Sequence, residues 1–153
     1  MLHNQKGVSV ATQHQTSWRP PPMNSIKINF DGGLLDGGRA VGLGIIARDA
    51  VCLCLAWSSL RLNNGGSTEL AEALAAREAI YLAYRFRWLR IILKGECNTL
   101  VHKLSSADLD FSAIGPLVSD IRFFSSFLDS VSFSFIKRCG NSTTDFLAGC
   151  ALN

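Results

Sequence analysis

The 153-residue chain is 48% hydrophobic and 18% charged, with a formal net charge of +3. That balance excludes a largely disordered chain and suits one domain with a core of its own. The mild positive charge permits a nucleic-acid partner without arguing for one. No apolar run reaches the roughly 18 residues that a membrane span needs, and residues 1–16 lack the apolar stretch of a secretory signal, so a soluble, intracellular protein with no membrane partner is expected.

Residues 1–22 read as a flexible linker, polar at first and ending in the stiff run Trp18-Arg19-Pro20-Pro21-Pro22. The folded domain is expected over 23–153. Residues 25–31 alternate Ile26, Ile28 and Phe30 with Lys27 and Asn29, the pattern of a strand with one buried face. Gly32-Gly33 and Asp36-Gly37-Gly38 have turn chemistry. Residues 40–48 predict a second strand, in which Gly42 and Gly44 mark a close approach. Residues 52–58 predict a third, joined to it by a turn at Asp49-Ala50-Val51.

Ser67 or Thr68 can cap a helix running to about Phe86, with Glu69 suited to its positive end. Its apolar stripe is Leu70, Ala73, Leu74, Tyr81 and Tyr84. Residues 89–93 predict a buried parallel strand. Helices are expected over 99–104 and 110–128, a strand over 131–135, a break at Gly140-Asn141-Ser142, and a last short helix carrying Asp145. The order β-β-β-α-β-α-α-β-α implies an α/β fold with a mixed five-stranded sheet and helices on its faces.

The five cysteines, Cys52, Cys54, Cys97, Cys139 and Cys150, lack zinc-ligand spacing. They read as small buried hydrophobes in a reduced compartment. Carboxylates stand at element ends: Asp31, Glu69, Glu72, Glu96 and Asp145. Brought together, such groups repel one another unless cations neutralise them. Hard oxygen ligands of this kind suit Mg²⁺, and two such ions form a clamp used in phosphodiester hydrolysis. Spacing alone equally fits acids on solvated faces.

Several segments in order carry a family resemblance. They are Trp18-Arg19-Pro20-Pro21-Pro22 with residues 26–32, Gly42-Leu43-Gly44-Ile45-Ile46-Ala47-Arg48-Asp49, Ala71-Glu72-Ala73-Leu74-Ala75, Ile91-Ile92-Leu93-Lys94-Gly95-Glu96-Cys97, and Arg138, Asn141, Asp145, Leu147 and Ala148. The chain resembles the ribonuclease H-like domains found in plants, both in non-LTR retroelement reverse transcriptases and as stand-alone relatives. The resemblance implies hydrolysis of the RNA strand of RNA–DNA hybrids with Mg²⁺, or Mn²⁺ in its place. It makes Asp31, Glu72, Glu96 and Asp145 the catalytic, metal-binding acids, with Glu69 competing for the place of Glu72. It also brings Asn29, Gly32, Gly33, Arg138 and Asn141 toward nucleic acid, although Arg138 and Asn141 equally suit bracing of the last helix. Glu96 stands where the family has Asp, Phe135 where many relatives have His, and Cys52 near an expected turn glycine. Two alternatives therefore stand beside the enzyme: a non-catalytic nucleic-acid-binding domain descended from a retroelement, and a metal-free protein-interaction domain.

Overall fold

A computed structural model describes residues 18–150, without the side chains of Asp145, Gly149 and Cys150. The elements are β1 (Ile26–Leu35), β2 (Ala40–Arg48), β3 (Cys54–Leu62), α1 (Thr68–Phe86), β4 (Arg90–Gly95), α2 (Asn98–Ser105), α3 (Gly115–Ser125), β5 (Ser130–Phe135) and α4 (Ser142–Cys150). They form one five-stranded sheet in the order β3-β2-β1-β4-β5. β1 and β2, and β2 and β3, pair antiparallel; β1 and β4, and β4 and β5, pair parallel. This is the predicted mixed sheet in the predicted element order.

The alternation of β1 decides which residues meet which helix. Ile28 and Phe30 join Leu43 and Ile45 in the core beneath α1. Lys27, Asn29 and Asp31 take the other face, where Asp31 lies opposite Gly44 and Asn29 opposite Ile46. α4 crosses that face. A side chain at Gly44 would collide with the carbonyl of Thr144, and one at Gly42 with that of Ala148. The two strand glycines mark a close approach, and what approaches is the backbone of α4.

α1 begins as predicted. Ser67 is its cap, its hydroxyl accepting from the Leu70 N–H at 3.1 Å, worth about 1 kcal/mol. Its buried face differs from the predicted stripe. Ala71, Ala73, Ala75, Ala76, Ala79 and Ala83 line it with Ile80, whereas Tyr84 is exposed. Small side chains bring the helix axis close to the sheet, and the larger ones lie to the flanks.

Other boundaries move for identifiable reasons. β1 continues through Gly32-Gly33, expected as a turn, because β2 pairs with it as far as Leu35↔Ala40. The turn after β2 extends to Leu53 rather than ending at Val51. The Asp49 carboxylate accepts the N–H groups of Val51 and Leu53, and Cys52 adopts φ +67°. Cys52 thus occupies a backbone conformation that favours glycine. β3 consequently starts at Cys54 and runs to Leu62 as an exposed edge strand. α3 starts at Gly115, with Pro116 in its first turn, and leaves Phe111 outside. Among the described cysteines, Cys52, Cys54 and Cys139 are exposed and Cys97 half-buried, so burial is corrected for three of them. Residues 18–22, expected within the linker, lie against the sheet with Pro21 buried; residues 1–17 are outside the described residues.

Gly32 is where α1 sits closest to β1. A side chain there would collide with the backbone of Ala71 and Glu72, whereas at Gly33 there is open space. Gly32→Ala is expected to cost about 3 kcal/mol, since backbone cannot move aside as a flexible side chain can. At roughly 2–4 °C per kcal/mol for a chain of this size, thermal unfolding followed by circular dichroism should show Tm lower by ~10 °C. Gly33→Ala should stay within ~0.5 kcal/mol of the unaltered protein.

Candidate active site

β4 pairs with β1 only from Ile26↔Ile91 to Asn29↔Lys94. Beyond Asn29 the β4-side edge of β1 is open, and Asp31 lies in that opening, 6% exposed. Glu96 stands one residue past the end of β4. Glu72 comes from the second turn of α1, held there by the contact of the helix with Gly32. β1 and α1 thus bring Asp31 and Glu72 together, with Glu96 from the end of β4 near enough for its charge to act on Glu72.

Glu72 is 5% exposed. Burial pushes its carboxyl up to about 9, assisted by the charge of Asp31, a hydrogen bond with Asp31 and the charge of Glu96; the Gly32 N–H opposes the rise by donating to it. Its Oε2 is buried and has no hydrogen-bond partner. Glu72 thus lies beside Asp31, both screened from solvent. Among the described residues, however, no three His, Cys, Asp or Glu side chains form a group that could hold a metal ion.

The remaining candidates separate. Glu69, the competitor of Glu72, faces outward and pairs with Lys103 at 3.4 Å. Glu96 pairs with the exposed Arg138 at 3.5 Å. Asp145 lies in the first turns of α4, whose backbone at Thr144 crosses Gly44, the strand partner of Asp31. The backbone therefore carries Asp145 toward Asp31, while its side chain is outside the described residues. Asn29 and Asn141 are each 2% exposed. They bond to each other at 2.9 Å, and Asn141 reaches the Phe30 carbonyl at 3.0 Å. Asn141 also braces α4, its carbonyl accepting from the N–H of Thr144. At Gly32 the approaching backbone is that of α1.

A cationic group lies farther along the same face of the sheet as Asp31. Burial pushes the Lys27 amine down to about 8, with further lowering from the charges of Lys94 and Arg48; burial also lowers Lys94. The indole of Trp18 covers this group, with Lys27 Nζ 4.9 Å and Arg48 Cζ 5.1 Å from its ring centre. Composition alone assigns Trp18 to a linker; the signal pointing to the fold is a large aromatic in an otherwise polar stretch. A hollow of about 250 Å³ lies between Trp18, Asn29, Arg48 and the start of α4. A larger one, about 560 Å³, sits at the other end of the sheet around Met23, Asp49 and Trp88, away from the acids.

The raised carboxyl makes a stability prediction with a definite sign. Between the ordinary glutamate value of about 4.5 and about 9, the folded state keeps a proton on Glu72 that the unfolded chain has lost. Stability contributed by this group therefore falls as pH rises through that window, by at most ~1.4 kcal/mol per pH unit. Urea unfolding in a chelator across pH 5 to 9 should show the decline, and Glu72→Gln should flatten it. An unchanged slope in Glu72→Gln would assign the decline elsewhere.

A family model described as reverse transcriptase-like matches residues 29–151. No curated protein matches. Among solved structures, ribonuclease H1 of the halophilic archaeon Halobacterium salinarum superposes with a TM-score of 0.77 at 21% identity, over 84% of this chain and 97% of that one. The N-terminal ribonuclease H domain of a Mycobacterium tuberculosis protein gives 0.76 at 18%, over 84% and 93%. LC11-RNase H1, isolated from compost and solved with an RNA/DNA hybrid, gives 0.74 at 19%, over 83% and 96%. The sheet order, the helix placement and these superpositions agree on a ribonuclease H fold, and the chain belongs to the reverse transcriptase-like family.

Proposed function

We propose that this protein is a metal-dependent endonuclease that hydrolyses the RNA strand of RNA–DNA hybrids, using Mg²⁺ or, in its place, Mn²⁺. The observation that carries this reading is the buried Asp31–Glu72 pair with Glu96 beside it, in a fold shared with ribonuclease H1 proteins. The compost enzyme with that fold was solved bound to an RNA/DNA hybrid.

The chemistry of the acidic donors supports a hard divalent cation. Glu72, a buried carboxyl raised in proton affinity beside Asp31 and with one unpartnered oxygen, is the kind of donor such an ion favours. Asp31, Glu72, Glu96 and Asp145 are the residues that would hold it. When bound, such a cation activates water and neutralises charge on a phosphodiester. Asp31 is held by strand pairing on β1 and has little freedom to move. Glu72 must release the proton that burial and Asp31 keep on it, and the Gly32 N–H is in place to orient the resulting carboxylate. Glu96 must loosen its pairing with Arg138, an exposed group whose ion pair is worth little. Arg138 and the open space at Gly33 suit a polyanion; Asn29 and Asn141 act from within by holding backbone.

The second reading is a non-catalytic domain that binds nucleic acid. The Arg138–Glu96 pair favours it, as does the lack of three described side chains grouped to hold a metal. A labelled hybrid separates the two. Cleavage is expected only with the divalent ion, falling to background in Asp31→Asn. Glu96→Asp should raise a weak rate, since a misplacement of about 1 Å can cost on the order of 10²-fold. Background rates in all three proteins, with hybrid still bound, would support the second reading. Binding in either case should weaken with salt, log affinity falling by about 0.9 or less per contacted phosphate for each decade of salt.

A further inference from the structure

A chain of hydrogen bonds runs from the segment before β1 to the acidic site. The Trp18 indole N–H donates to Asn29 Oδ1 at 3.2 Å. Asn29 Nδ2 donates to Asn141 Oδ1 at 2.9 Å. Asn141 Nδ2 donates to the Phe30 carbonyl at 3.0 Å, on the peptide bond that enters Asp31. The Asn141 carbonyl accepts both the N–H of Thr144, at 3.0 Å, and its hydroxyl, at 2.7 Å. The chain therefore ends on two structures: the strand beside Asp31 and the first turn of α4, which carries Asp145.

The direction of this chain is determined at both ends. An indole N–H can only donate and a carbonyl can only accept. Trp18 thus requires Asn29 to present its oxygen, which leaves the Asn29 NH₂ for Asn141. The Phe30 carbonyl requires Asn141 to present its NH₂, which leaves the Asn141 oxygen for Asn29. Each amide has one orientation that satisfies its neighbours. Asn29, Asn141 and Thr144 are at most 2% exposed, so water offers little substitute for a lost partner. Trp18 is itself held by Lys27 and Arg48 at its ring, and Lys27 also donates to the Arg19 carbonyl. Arg48 reaches Thr143 in α4 at 3.4 Å.

We propose that Trp18 is a positioning residue: its indole N–H, acting through Asn29 and Asn141, sets the spacing between Asp31 on β1 and the α4 turn that carries Asp145. The role in cleavage rests on the nuclease reading; the spacing itself does not. The segment before β1 thereby becomes part of the site's support, and a chain lacking it would hold the same acids less well.

The test uses Trp18→Phe, which keeps an aromatic ring for Lys27 and Arg48 and removes the N–H together with the second ring of the indole. Asn29→Ala, the double variant and Trp57→Phe, an exposed tryptophan on β3, complete the set. Amide hydrogen exchange of the full chain reads the relay without any metal or nucleic acid. Trp18→Phe is expected to speed exchange at the Thr144 N–H by about 10-fold, Asn29→Ala by as much, and the double variant by no more than either. Trp57→Phe should leave it unchanged. Titration with Mn²⁺ alone should show affinity several-fold weaker in Trp18→Phe, and hybrid cleavage should show a lower kcat at constant KM. Unchanged Thr144 exchange in Trp18→Phe, or additive effects in the double variant, would overturn the proposal and leave Trp18 as packing. If the unaltered protein neither binds Mn²⁺ nor cleaves hybrid, the nuclease reading fails while the exchange result still decides the relay.

Discussion

The backbone of α1 rests directly on β1 at Gly32, and much of the site follows from that contact. Because Gly32 has no side chain, the peptide of Ala71 and Glu72 can lie against the strand. That distance places the Glu72 carboxyl next to Asp31, out of water, and provides the Gly32 N–H as a counterweight to their repulsion. The alanine face of the helix serves the same geometry, since larger residues would lift the helix and separate the acids. Packing thus imposes an electrostatic cost, as it often does where buried charges are gathered for a task. Along one face of β1, Lys27, Asn29 and Asp31 run from cation through neutral amide to carboxylate. The amide between them is the residue through which Trp18 acts.

How much of this was legible in the sequence depends on whether the deciding partner was local. Alternation over 26–31 and the Ser67 cap are local signals, and both elements formed where they pointed. Gly32-Gly33 reads locally as a turn, but pairing with β2 and the helix overhead make it strand, a tertiary effect that no short window contains. Pro116 did carry a local signal for the start of α3 that the longer apolar pattern obscured. At the turn after β2, the signal was Asp49, whose side chain caps two N–H groups and draws the loop out to Leu53.

The site was less legible than the fold. Spacing along the chain could not distinguish Glu72 from Glu69, one helical turn apart. In the structure Glu72 is the one beside Asp31, where Gly32 admits the helix, while Glu69 pairs with Lys103 on α2. The register of Asp31 against Gly44, and the early end of β4 pairing, are likewise invisible until the strands are assembled. Trp18 was misplaced because its neighbours are prolines and polar residues, whose composition describes a linker. Its partners Asn29 and Asn141 are separated by 112 positions in the chain.

The alanines of α1 also bear on how this chain can change over generations. Ala71, Ala73, Ala75, Ala76, Ala79 and Ala83 are fully buried, and a larger side chain in such a packed face typically costs about 1–3 kcal/mol. The step down, to glycine, costs roughly 1 kcal/mol in a helix interior. Drift is thus costly in both directions along that face, while the outer face of the same helix stays open to it. Substitutions on the acids themselves would leave that packing in place, so the row of small residues can outlast the carboxylates it holds together.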